Sequence, residues 1–368
     1  MNHQQAGPHN ISAAADEGAG APRRTPVRAL ITGGTGFVGS HMAAAMLARG
    51  DHVTVIDDLS TGRMSNVALL QSHPSFELVT DTVTNEATMG RLAASADVVF
   101  HLAAAVGVEF VVEDALSTIE TNVMGTGSVL KAAERHGTKV LVASTSEVYG
   151  KCVSLPAAEG DDILLGPSAN SRWSYAASKL VDEFLALAYH RQHGLPVVVF
   201  RLFNTVGPRQ SGRYGMVIPR FVEAALAGRP LPVHGDGLQS RSFLHVHDAV
   251  AGILALADST DAVGGVFNIG GSQEVTIRAL AERVLQQVAT LGIEGGGIDV
   301  IPYDVAYARG FEDIRRRVAD TSKINALVGW APTLSLDDIL SDAIAEHRSS
   351  AGAPALGEAP VMADARSA

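Results

Sequence analysis

Cysteine is nearly absent: Cys152 stands alone in 368 residues, so no internal disulfide can form and no thiolate cluster can hold zinc. Basic residues are also in short supply, with 28 Lys and Arg against 39 Asp and Glu and a net charge of −11. A surface that tracks nucleic-acid phosphates needs clustered cations, so that class of partner is excluded, and any anionic substrate must be held by a few placed cations. No apolar run approaches the ~20 residues that span a bilayer. The opening stretch has no charged-then-apolar signal pattern, and no internal repeat is visible. These absences make the cytoplasm the expected compartment. What is present is ample apolar material, 46% of residues against 18% charged, enough for a sizeable core and far from the composition of disorder. Only the ends depart from this. Residues 1–26, rich in Ala, Gly, Pro, Gln and Asn, and residues 349–368 read as disordered tails.

Between them, short runs rich in Val, Ile and Phe alternate with longer helical patterns. The runs are Val27–Ile31, His52–Ile56, Phe76–Thr80, Asp97–His101, Lys139–Ala143 and Pro196–Arg201, and the helical stretches include Phe37–Arg49, Leu116–His136 and Tyr175–His193. Buried parallel strands read as such runs, and strand–helix alternation implies an α/β fold, a Rossmann-type doubly wound parallel sheet. From about Asn204 the pattern loosens, with helices expected near Ile218–Ala227, Asp248–Ala257 and Ile277–Ala289. The expected division is therefore a dinucleotide-binding domain over 27–203 and a smaller substrate lobe over 204–348, interleaved with the first. Ligands of such sheets lie beyond the carboxyl ends of the strands, so residues there are read for function first.

After the first strand comes Gly33-Gly34-Thr35-Gly36-Phe37-Val38-Gly39, where Gly33, Gly36 and Gly39 open a helix. Glycine lets backbone approach a pyrophosphate at a helix N-terminus, although strand–helix turns also use it structurally. Asp57 ends the second strand, 18 residues past Gly39, close to the spacing at which a carboxylate accepts hydrogen bonds from the adenosine ribose. A carboxylate there repels a 2′-phosphate and favours NAD over NADP. Asp81, after the third strand, suits either an adenine contact or a helix cap. After the fourth, Leu102 and Ala103 allow close cofactor approach, while His101 reads as a packing histidine.

Tyr175 and Lys179 are four apart, hence neighbours on one helix face. A cation beside a tyrosine favours its phenolate, which can then take a hydroxyl proton; a plain surface pair is the competing reading. Upstream, Ser144-Thr145-Ser146-Glu147 sets hydroxyls and a carboxylate at the sheet's carboxyl edge. With these residues the chain resembles the extended short-chain dehydrogenase/reductases that modify nucleotide sugars. The resemblance includes Asn122-Val-Met-Gly-Thr, Arg201-Leu-Phe-Asn204 and Gly235-Asp-Gly-Leu-Gln-Ser-Arg241, and it spans roughly Val27 to Arg348. It implies that Thr145 bonds the sugar 4-hydroxyl, Tyr175 is the base, Lys179 holds the cofactor ribose, and Asn204 and Arg241 contact the nucleotide diphosphate. For Arg241 a surface salt bridge is the competing reading.

All members of that family first oxidise carbon 4 of the sugar. Dehydratases carry Thr-Asp-Glu where this chain has Thr145-Ser146-Glu147, so dehydration is disfavoured. The triplet is closest to the UDP-glucuronate decarboxylases. Gly166-Pro167 ahead of Arg172-Trp173, and the stretch from Tyr307 through Asp313 to Arg317, follow the branch that makes a 4-keto pentose. Arg317 then takes the place of a substrate-facing arginine, against the alternative that Arg315, Arg316 and Arg317 are one solvated cluster. Asn204-Thr205-Val206-Gly207-Pro208 also suits xylose-forming decarboxylases and several epimerases, which keeps a UDP-sugar 4-epimerase as the second reading. A nucleotide sensor without chemistry is the third. The resemblance further implies a homodimer, paired through the helices at Leu116–His136 and Tyr175–His193. No metal is expected.

Overall fold

A computed structural model describes residues 25–352, apart from 107–113, 153, 213–215 and 308–311. Most of both expected tails lies outside the described residues, as does part of the stretch between Tyr307 and Asp313.

Seven parallel strands form the central sheet. In chain order they begin with β1 (Arg28–Thr32), β2 (His52–Asp57), β3 (Phe76–Thr80), β4 (Val98–His101), β5 (Lys139–Thr145) and β6 (Val197–Leu202). Branched residues dominate, and β4 and most of β1 and β6 are buried on both faces, the environment that suits Val and Ile. Between them run helices α1 (Phe37–Ala48), α2 (Glu86–Ala94), α3 (Ala115–Glu134) and α4 (Ser174–His193). Local chemistry marks their ends. Asn85 and Asp114 cap α2 and α3 by accepting the Thr88 and Ser117 backbone N–H groups, and Gly194 closes α4 in the left-handed region.

Beyond β6 the chain adds β7 (Thr205–Val206), α5 (Val217–Leu226), β8 (Leu231–His234), β9 (Ser240–Ser242), β10 (Leu244–His245), α6 (Val246–Asp258) and β11 (Val266–Ile269). There follow β12 (Glu274–Thr276), α7 (Ile277–Thr290), β13 (Ile298–Ile301), α8 (Tyr303–Ala306), β14 (Arg316–Arg317), α9 (Ser322–Val328) and α10 (Leu336–Gly352). The strand order of the large sheet is β11-β6-β5-β4-β1-β2-β3. Its last strand thus comes from the second half of the chain, and α6 packs into the same core as Ile31, Phe100 and Phe200. Each such fully buried side chain contributes ~2–3 kcal/mol over its exposed state. A second core joins α5, α7 and α10 through Phe221, Leu280 and Leu340. One boundary moves: α10 continues to Gly352, into the stretch expected to be tail, since neither proline nor glycine interrupts residues 336–351.

Strand order reverses beside β1, whose neighbours are β2 and β4. The crevice of a doubly wound sheet opens there. Along the carboxyl edge the sheet therefore presents, in spatial order, Asp81, Asp57, Gly33, Leu102, Thr145 and Asn204.

Candidate active site

A cavity of about 800 Å³ runs along this edge and is lined by every one of those residues, together with Tyr175, Lys179, Arg172, Arg241 and Arg317. Gly36, Phe37, Val38, Gly39, Ala103, Ser146 and Glu147 line it as well, so all the site residues expected from sequence converge.

Its first half is built from backbone and neutral contacts. Gly33 has φ +69°, and a Cβ there would stand 2.8 Å from the Ala103 backbone, so the loop after β1 can lie directly against the end of β4. At Gly39 a Cβ would stand 2.2 Å from the Gly33 carbonyl, which makes that position a packing glycine. α1 starts at Gly36 with no side-chain cap and no acidic residue in its first turn, leaving its leading N–H groups to an anion. Asp57 is buried and accepts the N–H of Thr35 at 3.0 Å and of Leu59 at 2.9 Å. Those bonds fix the carboxylate at the end of β2. Asp81 accepts from Thr82 N–H, Asn85 Nδ2 and the Thr88 hydroxyl, so it braces the start of α2 while lining the cavity. The Thr88 hydrogen bond, chiefly, holds its carboxyl below the usual range. His101 is the buried packing histidine expected, with Nδ1 2.8 Å from the Thr32 hydroxyl and Nε2 2.9 Å from that of Thr126. Burial and then Lys179 push its pKa down to about 3, so the ring is neutral.

The second half is charged. Thr145 caps the short turn Ser146–Tyr149 by accepting the Glu147 N–H at 3.2 Å, and its side chain is hydrogen-bonded to the Tyr175 hydroxyl. Glu147 is clasped by two guanidinium groups. Arg172 Nη1 lies 2.6 Å from Oε2, and Arg317 Nη1 donates to Oε1. Burial alone would raise the Glu147 pKa, but Arg317 and Arg172 outweigh it and hold the carboxylate ionised at about 2. Ser146 is buried, its hydroxyl 3.4 Å from Arg317. Arg317 and Arg241 are register partners across β14 and β9, so two cations stand side by side. Arg241 binds Asp313 at 2.8 Å, and Tyr303 donates to the other oxygen of that carboxylate at 2.6 Å. Asn204 donates to the Ser242 carbonyl, tying β6's end to β9.

One expectation needs correction, that the Lys179 cation lowers the Tyr175 pKa. The lysine Nζ lies 2.7 Å from Asp182 Oδ2, and both side chains are buried. An ion-paired lysine is a dipole, and its field on the phenol is correspondingly weak. Burial first, then Glu147, push the Tyr175 hydroxyl well above the ordinary tyrosine range. The three consecutive arginines divide as the substrate-facing reading of Arg317 expects. Arg315 pairs with Asp236 and Arg316 with Glu274 on the surface, so the solvated reading holds for those two, and only Arg317 enters the cavity. Sequence reasoning missed Asp182, Asp313, Tyr303 and the role of Arg172. It also missed the buried Glu183–Arg201 pair, whose Glu183 accepts the Ser144 hydroxyl behind β5. The one visible signal was that Glu183 follows Lys179 by a helical turn.

Comparison with known proteins agrees with this geometry. The family model for GDP-mannose 4,6 dehydratase matches residues 30–343. A UDP-N-acetyl-alpha-D-glucosaminuronate decarboxylase from Bacillus cytotoxicus is 40% identical over 318 residues, covering 86% of this chain and 96% of that protein. UDP-glucuronic acid decarboxylase 1 of Arabidopsis thaliana is 36% identical over 341 residues, 90% of this chain and 74% of that one. Among solved structures, a UDP-glucuronic acid 4-epimerase from Bacillus cereus, in complex with UDP-glucuronic acid and NAD, superposes with a TM-score of 0.77 at 28% identity, covering 88% and 99% of the two chains. The chain belongs to the GDP-mannose 4,6 dehydratase family, within the extended short-chain dehydrogenase/reductases.

Proposed function

We propose that the chain is an NAD-dependent decarboxylase of a UDP-linked hexuronate, UDP-glucuronate, acting through a 4-keto sugar. The observation that carries this reading is the ionised Glu147 clasped between Arg172 and Arg317 beside the Tyr175 hydroxyl.

The first half of the cavity fits NAD. The uncapped start of α1 suits a pyrophosphate, with Gly33, Gly36, Phe37, Val38 and Gly39 as its cradle, and Asp57 suits an unphosphorylated ribose. Asp81, Leu102 and Ala103 line the rest, and Lys179 would hold the second ribose. NAD held there would supply the hydride acceptor for carbon 4 and a cationic ring that favours the Tyr175 phenolate. Tyr175 removes the 4-hydroxyl proton, with Thr145 holding the oxygen. Oxidation makes carbon 6 the carboxylate of a β-keto acid. The bond between carbons 5 and 6 then breaks, its electron pair forms the enolate, and carbon dioxide leaves. Arg317 and Ser146 stabilise that enolate, and Glu147 keeps Arg317 in place until a proton reaches carbon 5. Return of the hydride to carbon 4, with the Tyr175 proton to its oxygen, would give the pentose; release before that return would give the 4-keto pentose and leave the hydride on the cofactor. Asn204 and Arg241 take the diphosphate. Residues 27–203 hold the cofactor in this scheme and supply the groups that act on the sugar's carbons 4 to 6, and 204–348 hold the nucleotide sugar, with β11 and α6 the interleaved part.

The test is product analysis after incubation with NAD and UDP-glucuronate. The expected product has lost carbon dioxide and carries a pentose, lighter by two further hydrogens where the 4-ketone is released unreduced; an unchanged mass with inverted carbon 4 would assign an epimerase instead. UDP-N-acetylglucosaminuronate, run in parallel, decides whether a 2-acetamido group is accepted. We also place a second copy of the chain against α3 and α4, which pack together and expose Leu116, Met124 and Phe184. No helix among the described residues is long and apolar enough to cross a membrane, and a cytoplasmic location follows in this reading from the expected supply of NAD and nucleotide sugar.

A further inference from the structure

Arg172 has no role in the chemistry above, yet it is among the most constrained residues of the site. Its side chain is 7% exposed. The short turn Ser171–Trp173 leads directly into α4, and Asn170 caps it. Trp173 lies so close over Gly166 that a Cβ at 166 would stand 2.1 Å from the indole nitrogen. The Arg172 guanidinium packs beside the same indole, 5.5 Å from the ring centroid. The turn thus aims Arg172 into the cavity three residues before Tyr175.

Among the described residues the charges there do not balance. Arg172, Arg241 and Arg317 face Glu147 and Asp313, so three buried or half-buried cations meet two carboxylates. Nε of Arg172 and Nε of Arg317 are both buried with no hydrogen-bond partner among the described residues. Burial and the adjacent Arg317 push the Arg241 pKa down to about 10, a mark of cations crowded without enough anion. Unpaired buried donors and a surplus positive charge are costly in an empty site and become favourable when a ligand supplies an anion. The diphosphate falls to Arg241. The remaining surplus lies where Glu147, Arg172 and Arg317 surround the Tyr175 hydroxyl. A sugar bound with its 4-hydroxyl at Tyr175 places the substituent on carbon 5 within the same few ångströms.

We propose that Arg172 determines specificity, completing with Arg317 a divided guanidinium pair that selects a carboxylate over a neutral hydroxymethyl group at carbon 6 of the sugar. The inference rests on the hexuronate reading above. Glu147 gives the pair its spacing and removes one of its two charges, so the triplet carries a single net positive charge. A hexuronate neutralises it, and a hexose leaves it unpaired.

The experiment is titration calorimetry of the NADH-loaded protein, which cannot oxidise the sugar, with UDP-glucuronate and with UDP-glucose. Arg172→Met makes the triplet neutral. It should weaken UDP-glucuronate about 30-fold, the worth of a buried charge-assisted hydrogen bond, while UDP-glucose changes less than about threefold. Arg172→Lys keeps the charge without the fork and should fall between, about tenfold. Equal losses for both sugars, or a preference unchanged in the Met and Lys variants, overturn the inference. If Arg172→Met does not fold, the Lys variant decides alone, because an unchanged preference there has the same consequence. Failure of the underlying reading looks different: the wild-type protein itself would bind UDP-glucose as well as UDP-glucuronate.

Discussion

The two halves of the cavity solve recognition in opposite ways. On the side of β1 to β4, polar groups are satisfied locally: His101 by two threonine hydroxyls, Asp57 by two backbone N–H groups, Asp81 by its own helix start. On the side of β5, β6 and β9, the ionised groups are paired with ions from distant segments. Glu147 meets Arg172 and Arg317, and Arg241 meets Asp313. The first half reads shape and backbone, which suits a cofactor common to many reactions. The second reads charge, and charge is what separates one sugar from another. Its partners come from four separated stretches, so it can be altered without touching the first half.

The largest effect separates chemistry from cofactor binding. Tyr175→Phe removes the base at the boundary of the halves, and turnover should fall about 10³-fold while NAD affinity, measured by fluorescence, stays within a factor of two or so. Turnover within about tenfold of wild type would mean that the proton leaves by another route. Next in size is Glu147→Gln, which strips the central carboxylate from two buried arginines and should destabilise the fold by about 3 kcal/mol at pH 7. The sign with pH follows from linkage. The Glu147 pKa is about 2 in the folded chain against an ordinary 4.5, so its stabilisation is complete above about 4.5 and is lost as pH falls towards 2. Urea titrations of both proteins from neutral pH downward should therefore show the gap closing only below about 4.5. A gap that closes already at pH 6 would place the contribution elsewhere.

The same contrast governs what could be read before any coordinates. The first half lies in order along the chain, one loop after each strand, and buried parallel strands announce themselves as Val and Ile runs. β1 to β6 were therefore placed to within one or two residues at most ends. β11 escaped, since Val266–Ile269 follows a helix far along the chain and nothing local says that it pairs with β6. In the second half, Tyr175, Lys179 and the Thr145–Glu147 edge were legible from spacing and position, and Asn204, Arg241 and Arg317 only through resemblance. β14 is two residues long, too short for a period, and Asp182 on a helix otherwise reads as solvent-facing. Its burial against Lys179 depends on α3, whose Thr126 bonds it, covering that face, which is tertiary information.

Asp182→Asn sharpens the comparison further, because the Lys179–Asp182 pair belongs to neither style. Tyr175 is surrounded by Glu147 and Arg317 from one side and Lys179 and Asp182 from its own helix, with neutral His101 behind Lys179. Removing the Asp182 charge releases the full field of Lys179 onto the phenol, which lowers the pKa of Tyr175. The acidic limb of the kcat profile, which reports ionisation of the base, should move to lower pH, with kcat at neutral pH changing by no more than about tenfold. A limb that stays in place while the KM for NAD rises would make Asp182 a mere anchor for the lysine.

The smallest expected effect tests whether location, rather than charge, makes an arginine functional. Arg315, Arg316 and Arg317 are consecutive and all ion-paired, yet the side chains of the first two are 60% and 51% exposed and that of Arg317 is 16% exposed. Exposed pairs gain little Coulomb energy in water and lose side-chain entropy, so Arg315→Ala should change stability by less than about 1 kcal/mol and leave turnover untouched. Half-molar salt should erase even that difference, because screening acts within a few ångströms at the surface and scarcely reaches the buried clasp on Glu147. A loss of activity in Arg315→Ala comparable with that of Arg317→Ala would mean that the three act as one basic cluster. The division between a surface that tolerates charge and a cavity that uses it would then have to be drawn elsewhere.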